Sequence, residues 1–162
     1  MSLLDAILLG FIQGITEFLP ISSSGHLVIG NHLLGIENDN ILFEVFVHLG
    51  TLIAIIYYYK DDIIDMCRGI ILKESKHLNY LLLIIIATIP AVIIGLIFNN
   101  EIKVLYDIKW VSLFLIITGL ILFLSKFSKE KSLNINYYQA LIIGVFQAIA
   151  ILPGISRSGA TI

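Results

Sequence analysis

The chain predicts an all-α, polytopic membrane bundle carrying two re-entrant helix–break–helix repeats of inverted topology. Three observations predict it. Hydrophobic residues fill 58% of the 162 positions and charged residues only 14%, against about 25% charged in soluble domains. Three runs, 41–59, 78–98 and 110–127, are apolar enough to span a bilayer, which takes about 20 residues each. Finally, Gly10–Gly25 (GFIQGITEFLPISSSG) and Gly144–Gly159 (GVFQAIAILPGISRSG) repeat one another at a constant offset. That offset pairs Gln13 with Gln147, Ser22 with Ser156, Ser24 with Ser158 and Gly25 with Gly159.

Taken in order, the single membrane domain opens with repeat 1, about 1–35, crosses at the three spans, and reaches the start of repeat 2 at about 137–162. Pro20 with Ser22-Ser23-Ser24-Gly25 interrupts the first repeat, and Pro153-Gly154 interrupts the second. Proline cannot continue the helical ladder and glycine permits sharp turns, so each repeat reads as helix, break, helix. Irregular backbone at membrane depth survives only where protein or a water-filled cavity surrounds it, which makes these segments re-entrant. Three crossings between the repeats, an odd number, insert them with opposite orientation.

Loop charges set the orientation. Residues 29–40 carry no Lys or Arg, whereas Lys60–His77 carries Lys60, Arg68, Lys73 and Lys76, and Ser125–Asn136 carries Lys126, Lys129 and Lys131. Positive loops stay inside, so 60–77 and 125–136 are expected in the cytoplasm and 29–40 outside. Apolar residues spaced between the charges of 60–77 suit either a helix on the membrane surface or a solvated loop. Trp110 and Tyr57-Tyr58-Tyr59 read as interface anchors.

Composition excludes other classes. Mean hydropathy of +0.97 fixes a membrane location. A formal net charge of -2 gives no field to attract nucleic acid. The lone Cys67 excludes an internal disulfide. Met1–Leu9 contains Asp5 and lacks a basic leading region, so it does not read as a cleavable signal.

Ionisable residues inside apolar runs mark sites, because burying them costs about 2.5–3.5 kcal/mol each. Glu17 is therefore a candidate acid/base or hard-cation ligand, with a structural pair to Arg157 as the plainer alternative. Ser22-Ser23-Ser24-Gly25-His26 opens a helix, where unpaired N–H groups favour anions. Ser23 and His26, three apart, could form a nucleophile–base pair. A small-residue packing patch is the competing reading. In the second repeat, Ser156, Arg157, Ser158 and Thr161 outline a phosphate cradle around a forked guanidinium. Glu44 and His48 share one face of the first span, and their spacing favours pairing with each other over a role around the site.

The stretch Gln13–His26 (QGITEFLPISSSGH) resembles the first signature of the undecaprenyl-diphosphate phosphatases, also called bacitracin-resistance proteins. Pro153–Thr161 (PGISRSGAT) resembles the second, and Phe43-Glu44-Val45 with His48-Leu49-Gly50-Thr51 is similar to the family's first-span pattern. The resemblance implies a multi-pass bacterial cell-membrane enzyme with an outward-facing site. Its reaction would convert undecaprenyl diphosphate to undecaprenyl phosphate and inorganic phosphate, in carrier recycling for peptidoglycan synthesis. It also implies a divalent cation, Mg2+ or Ca2+. In this chain Glu17, Ser23, His26 and Arg157 would be catalytic, Glu17 would also bind the metal, and Ser22, Ser24, Gly25, Ser156, Arg157, Ser158 and Thr161 would bind phosphate. A homodimer is among the expected partners. Gln13 stands where the signature allows Glu or Gln, which leaves Glu17 the single carboxylate there. Because Ile162 follows directly on the signature Thr161, the chain is expected to be an N-terminal portion, inactive alone. The rival class is a lipid-phosphate flippase, which the same repeated, broken helices would suit. A membrane subunit serving only interactions would leave Glu17 and Arg157 without a role.

Overall fold

A computed structural model describes residues 1–36, 41–127 and 135–161, and every regular element among them is helical. In chain order these are α1 (Leu3–Phe18), α2 (Ser23–Leu33), α3 (Ile41–Tyr58), α4 (Lys60–Ile71), α5 (Ser75–Ile97), α6 (Asn99–Val104), α7 (Ile108–Ser125), α8 (Tyr137–Ile149) and α9 (Arg157–Thr161). The three expected spans fall on helices α3, α5 and α7. Both expected breaks are present too, between α1 and α2 and between α8 and α9. Two of the charge-based loop assignments fall partly on residues 37–40 and 128–134, outside the described residues.

Burial is reversed relative to a soluble protein. Many Leu, Ile, Val and Phe side chains of α3, α5 and α7 face outward, Val111 being a buried exception, whereas Gln13, Thr16, Ser22, Thr51, Thr118 and Ser156 are buried. Lipid solvates the apolar exterior, so the polar groups gather where they can bond one another. Helices α5 and α7 are each long and apolar enough to cross a membrane, and α3 meets that test jointly with α4, from which it is bent by 74°. The chain is a polytopic helical membrane protein.

The 60–77 segment resolves into helix rather than loop. Helix α4 carries Lys60, Asp61, Asp62, Asp65 and Arg68 among Ile63, Ile64, Ile70 and Ile71, the composition of a helix lying along an interface. It is tied to α5 by His77, whose Nδ1 lies 2.9 Å from Glu74 Oε2 and whose Nε2 lies 3.5 Å from Asp65 Oδ2. The imidazole seats directly on Gly69, where any Cβ would overlap the ring. Gly69→Ala is therefore expected to expel His77 and loosen α4 from α5. The exposed thiol of Cys67 on α4 gives the readout. A spin label there should gain mobility in the variant, and unchanged mobility would refute this seat.

Helices α5 and α8 run side by side in the same direction. Tyr137 Oη donates to Asn79 Oδ1 at one end. Gly144 meets Pro90 and the Ala87 carbonyl midway, where a Cβ would sit 2.7 Å from that oxygen. Ile151 reaches Gly95 at the other end. With 13 residues, α8 is about 20 Å long, short of a hydrocarbon core of about 30 Å. It is too short to cross by itself, and the break follows.

Candidate active site

The two breaks have the same local geometry. Ser22 caps α2: its Oγ accepts from Gly25 N at 3.4 Å and lies 3.3 Å from Ser24 Oγ. Ser156 caps α9 likewise, accepting from Gly159 N at 3.1 Å and lying 3.2 Å from Ser158 Oγ. Carbonyls of the same two serines accept from His26 N and Ala160 N. The repeated Ser-x-Ser-Gly is thus a repeated cap, in which a short hydroxyl side chain satisfies an otherwise orphaned N–H.

These turns pack against each other. A Cβ on Gly25 would lie 3.0 Å from Gly154 Cα, and one on Gly159 would lie 3.1 Å from the Pro20 carbonyl oxygen. Helix α7 holds the second turn. Thr118 Oγ1 donates to the Gly154 carbonyl at 2.8 Å and accepts from Ser156 N at 3.1 Å. Gly154 has φ +99°, and its Cβ would fall 2.6 Å from the Val111 carbonyl oxygen. Both backbone conformation and space exclude a side chain there. Gly154→Ala is expected to cost about 1–3 kcal/mol, the scale of such backbone strain. Thermal unfolding in detergent reads it out, and a melting temperature equal to wild type would contradict the turn's geometry.

The first repeat gathers the reactive groups. Glu17, at the end of α1, reaches across the break so that Ser23 Oγ donates to its Oε2 in a short hydrogen bond. Gln13 Nε2 donates to the same oxygen at 3.2 Å, and His48 Nε2 of α3 lies 3.5 Å from it. Gln13 also donates to Thr51 Oγ1 at 3.4 Å. Between the two reactive residues, Ser22 adopts φ +67°, a region L-residues rarely occupy, and this sharp turn brings Ser23 back toward Glu17. The backbone N–H groups of Ser23 and Ser24 have no hydrogen bond among the described residues. They are the free donors of a helix start, beside the Ser23 hydroxyl.

Other sequence-predicted residues fall differently. His26 does not pair with Ser23; its Nδ1 lies 2.8 Å from the Ser22 carbonyl. A carbonyl only accepts, so Nδ1 carries the proton and Nε2 remains for other partners. Thr161 Oγ1 bonds back to the Arg157 and Ser158 carbonyls, and Ser156 is committed to its cap. Arg157 is exposed and makes no ion pair among the described residues, so the structural pair with Glu17 is not formed. Glu44 and His48 meet through the Glu44 backbone. The His48 ring bonds the Glu44 carbonyl at 2.7 Å and turns its other nitrogen to Glu17. Thr51 and Thr118 are the site residues that sequence reasoning gave no role, and Gln13 and His48 were singled out without their contact to Glu17. Their signal was a polar side chain inside an apolar run.

The fold and site define a helical membrane protein whose polar centre is assembled from two copies of one capped break. A family model described as Bacitracin resistance protein BacA matches residues 6–162. An undecaprenyl-diphosphatase of Christiangramia forsetii is 44% identical over 168 residues, covering 100% of this chain and 64% of the relative. Another of that name, from Thermosipho africanus, is 47% identical over 162 residues, covering 98% of this chain and 65% of the relative. A third, from Methanococcus maripaludis, is 40% identical over 163 residues with coverage of 98% and 65%. The chain belongs to the bacitracin resistance protein BacA family. It spans 64–65% of the length of these three curated relatives.

Proposed function

We propose that the full-length protein is an undecaprenyl-diphosphate phosphatase, releasing undecaprenyl phosphate and inorganic phosphate. The observation that carries this reading is the Ser23–Glu17 hydrogen bond at the N-terminus of α2. A serine hydroxyl is a weak nucleophile until a base takes its proton. Glu17 is that base here, in place of His26. As Ser23 Oγ attacks the terminal phosphorus, its proton passes to Glu17. The bridging P–O bond breaks, and its electron pair leaves on undecaprenyl phosphate. Water then attacks the phosphoserine and gives its proton to the free Nε2 of His26, while Glu17 returns its proton to the departing Ser23 Oγ. Inorganic phosphate leaves, and the His26 proton passes to solvent. The Ser23 and Ser24 N–H groups and the Arg157 guanidinium stabilise charge on the phosphoryl oxygens.

A divalent cation, Mg2+ or Ca2+, fits this donor set only as a shared ligand. No cluster of three His, Cys, Asp or Glu exists among the described residues. Glu17 offers Oε1, and one carboxylate plus substrate phosphates is a common way to hold Mg2+. Bound there, the ion would neutralise diphosphate charge.

The site would open outward. With Lys60–His77 inside, α5 ascends, and α8 beside it carries the second break to the level of Gly95, toward the outer end of α5. In a Cys67→Ser background, a cysteine placed in the 29–40 segment should react with an impermeant thiol reagent on intact cells. Reaction only after membrane disruption would reverse the orientation. Broken helices also suit a lipid-phosphate flippase. Phosphate release from long-chain prenyl diphosphate in detergent, where no second leaflet exists, is expected of the phosphatase. A protein that binds this lipid but releases no phosphate would favour the carrier.

A further inference from the structure

Helix α3 reaches the reactive carboxylate directly through His48 and indirectly through Thr51. Thr51 steadies Gln13, which donates to Glu17 Oε2, and His48 faces the same oxygen directly. We infer that His48 is a positioning residue for the Ser23–Glu17 pair, holding from α3 the carboxylate oxygen to which Ser23 bonds. The ring is itself fixed. Its Nδ1 donates to the Glu44 carbonyl, 2.7 Å away on the same helix, which sets the imidazole's orientation, so Nε2 holds the Glu17 carboxylate across the helix boundary as the second donor of a doubly protonated ring. Glu17 needs such a hold. It sits at the last turn of α1, next to the break, and its long side chain would otherwise sample rotamers that do not meet Ser23. Three groups, Gln13, Ser23 and His48, converge on Oε2 from three directions. A reactive pair held this way keeps its geometry through turnover, and a displacement of about 1 Å at such a pair costs about 10²-fold in rate. Among the described residues no hydrogen bond joins His48 to Ser23, and His48 acts through Glu17.

The inference rests on the phosphatase reading for its kinetic test, and a second readout is independent of that reading. In the full-length protein, His48→Leu is expected to lower kcat at least about 10-fold with KM little changed, as lost positioning does. His48→Gln keeps an amide donor on the same helix face and should retain most of the activity. The Glu17 carboxylate bands, isolated by infrared difference against Glu17→Gln, should shift in His48→Leu and stay in place in His48→Gln. A His48→Leu protein with wild-type kcat, or with unmoved Glu17 bands, overturns the role. So does a His48→Gln protein as impaired as His48→Leu. A wild-type protein that releases no phosphate would defeat the phosphatase reading, while the infrared comparison would still decide the role of His48.

Discussion

Replacing Glu17 with Gln in the full-length protein is expected to lower kcat by about 10²–10⁴-fold, the range that a positioned general base supplies. The substitution is nearly isosteric, and an amide can still accept a hydrogen bond from Ser23. It cannot take the proton. The defect should therefore fall on kcat, with KM changed little, because the carboxylate is engaged with Ser23 Oγ, Gln13 and His48 rather than reserved for ground-state binding. A Glu17→Gln protein within a few fold of wild type would remove Glu17 from the proton path and return the base to His26, whose Nε2 is left free by the Nδ1 bond to Ser22. Steady-state phosphate release from a long-chain prenyl diphosphate, with Glu17→Gln and His26→Gln in parallel, distinguishes the two.

Arg157 carries the second large effect. Its guanidinium is exposed and has no ion-pair partner among the described residues, so nothing in the described chain neutralises it. A charge at membrane depth without a protein partner is expensive unless a ligand supplies the counter-charge. Removing it, as in Arg157→Ala, should cost about 10²–10³-fold in kcat, the scale of losing one stabilising donor in a sequestered site. Arg157→Lys should be nearly as damaging. An ammonium keeps the charge but loses the planar fork that meets two phosphate oxygens at once. Near-full turnover in the Lys variant would reduce Arg157 to a point charge.

Much of this architecture is legible in the sequence because the solvent is lipid. The span at 110–127 was readable and appears as Ile108–Ser125, and the span at 78–98 appears as Ser75–Ile97, since hydropathy reports directly on what must face lipid. The paired caps at Ser22 and Ser156 were readable as well, because a repeated short motif imposes a repeated local geometry. What escaped depends on long-range approach. His48 and Glu44, four residues apart on one helix, look like a pair, and the His48 ring does bond the Glu44 carbonyl, but its other nitrogen faces a carboxylate on another helix. Ser23 and His26 look like a dyad for the same reason. The turn at Ser22, with its positive φ, swings the hydroxyl back to a glutamate six residues earlier instead. Thr118 showed only as one hydroxyl inside an apolar run. Its hydroxyl matters because α7 passes the 154–156 turn, 36 to 38 residues later in the chain. Local periodicity ranks neighbours along a helix and says nothing of neighbours across one.

The central claim is that Ser23, with its proton passing to Glu17, attacks phosphorus. Rapid quench of the full-length protein with substrate labelled at the terminal phosphate tests it most directly. The account predicts label trapped on Ser23 in the wild-type protein, and neither label nor turnover in Ser23→Ala. If no label is ever trapped and Ser23→Ala retains a few per cent of turnover, water is the attacker and Ser23 only a donor to phosphate.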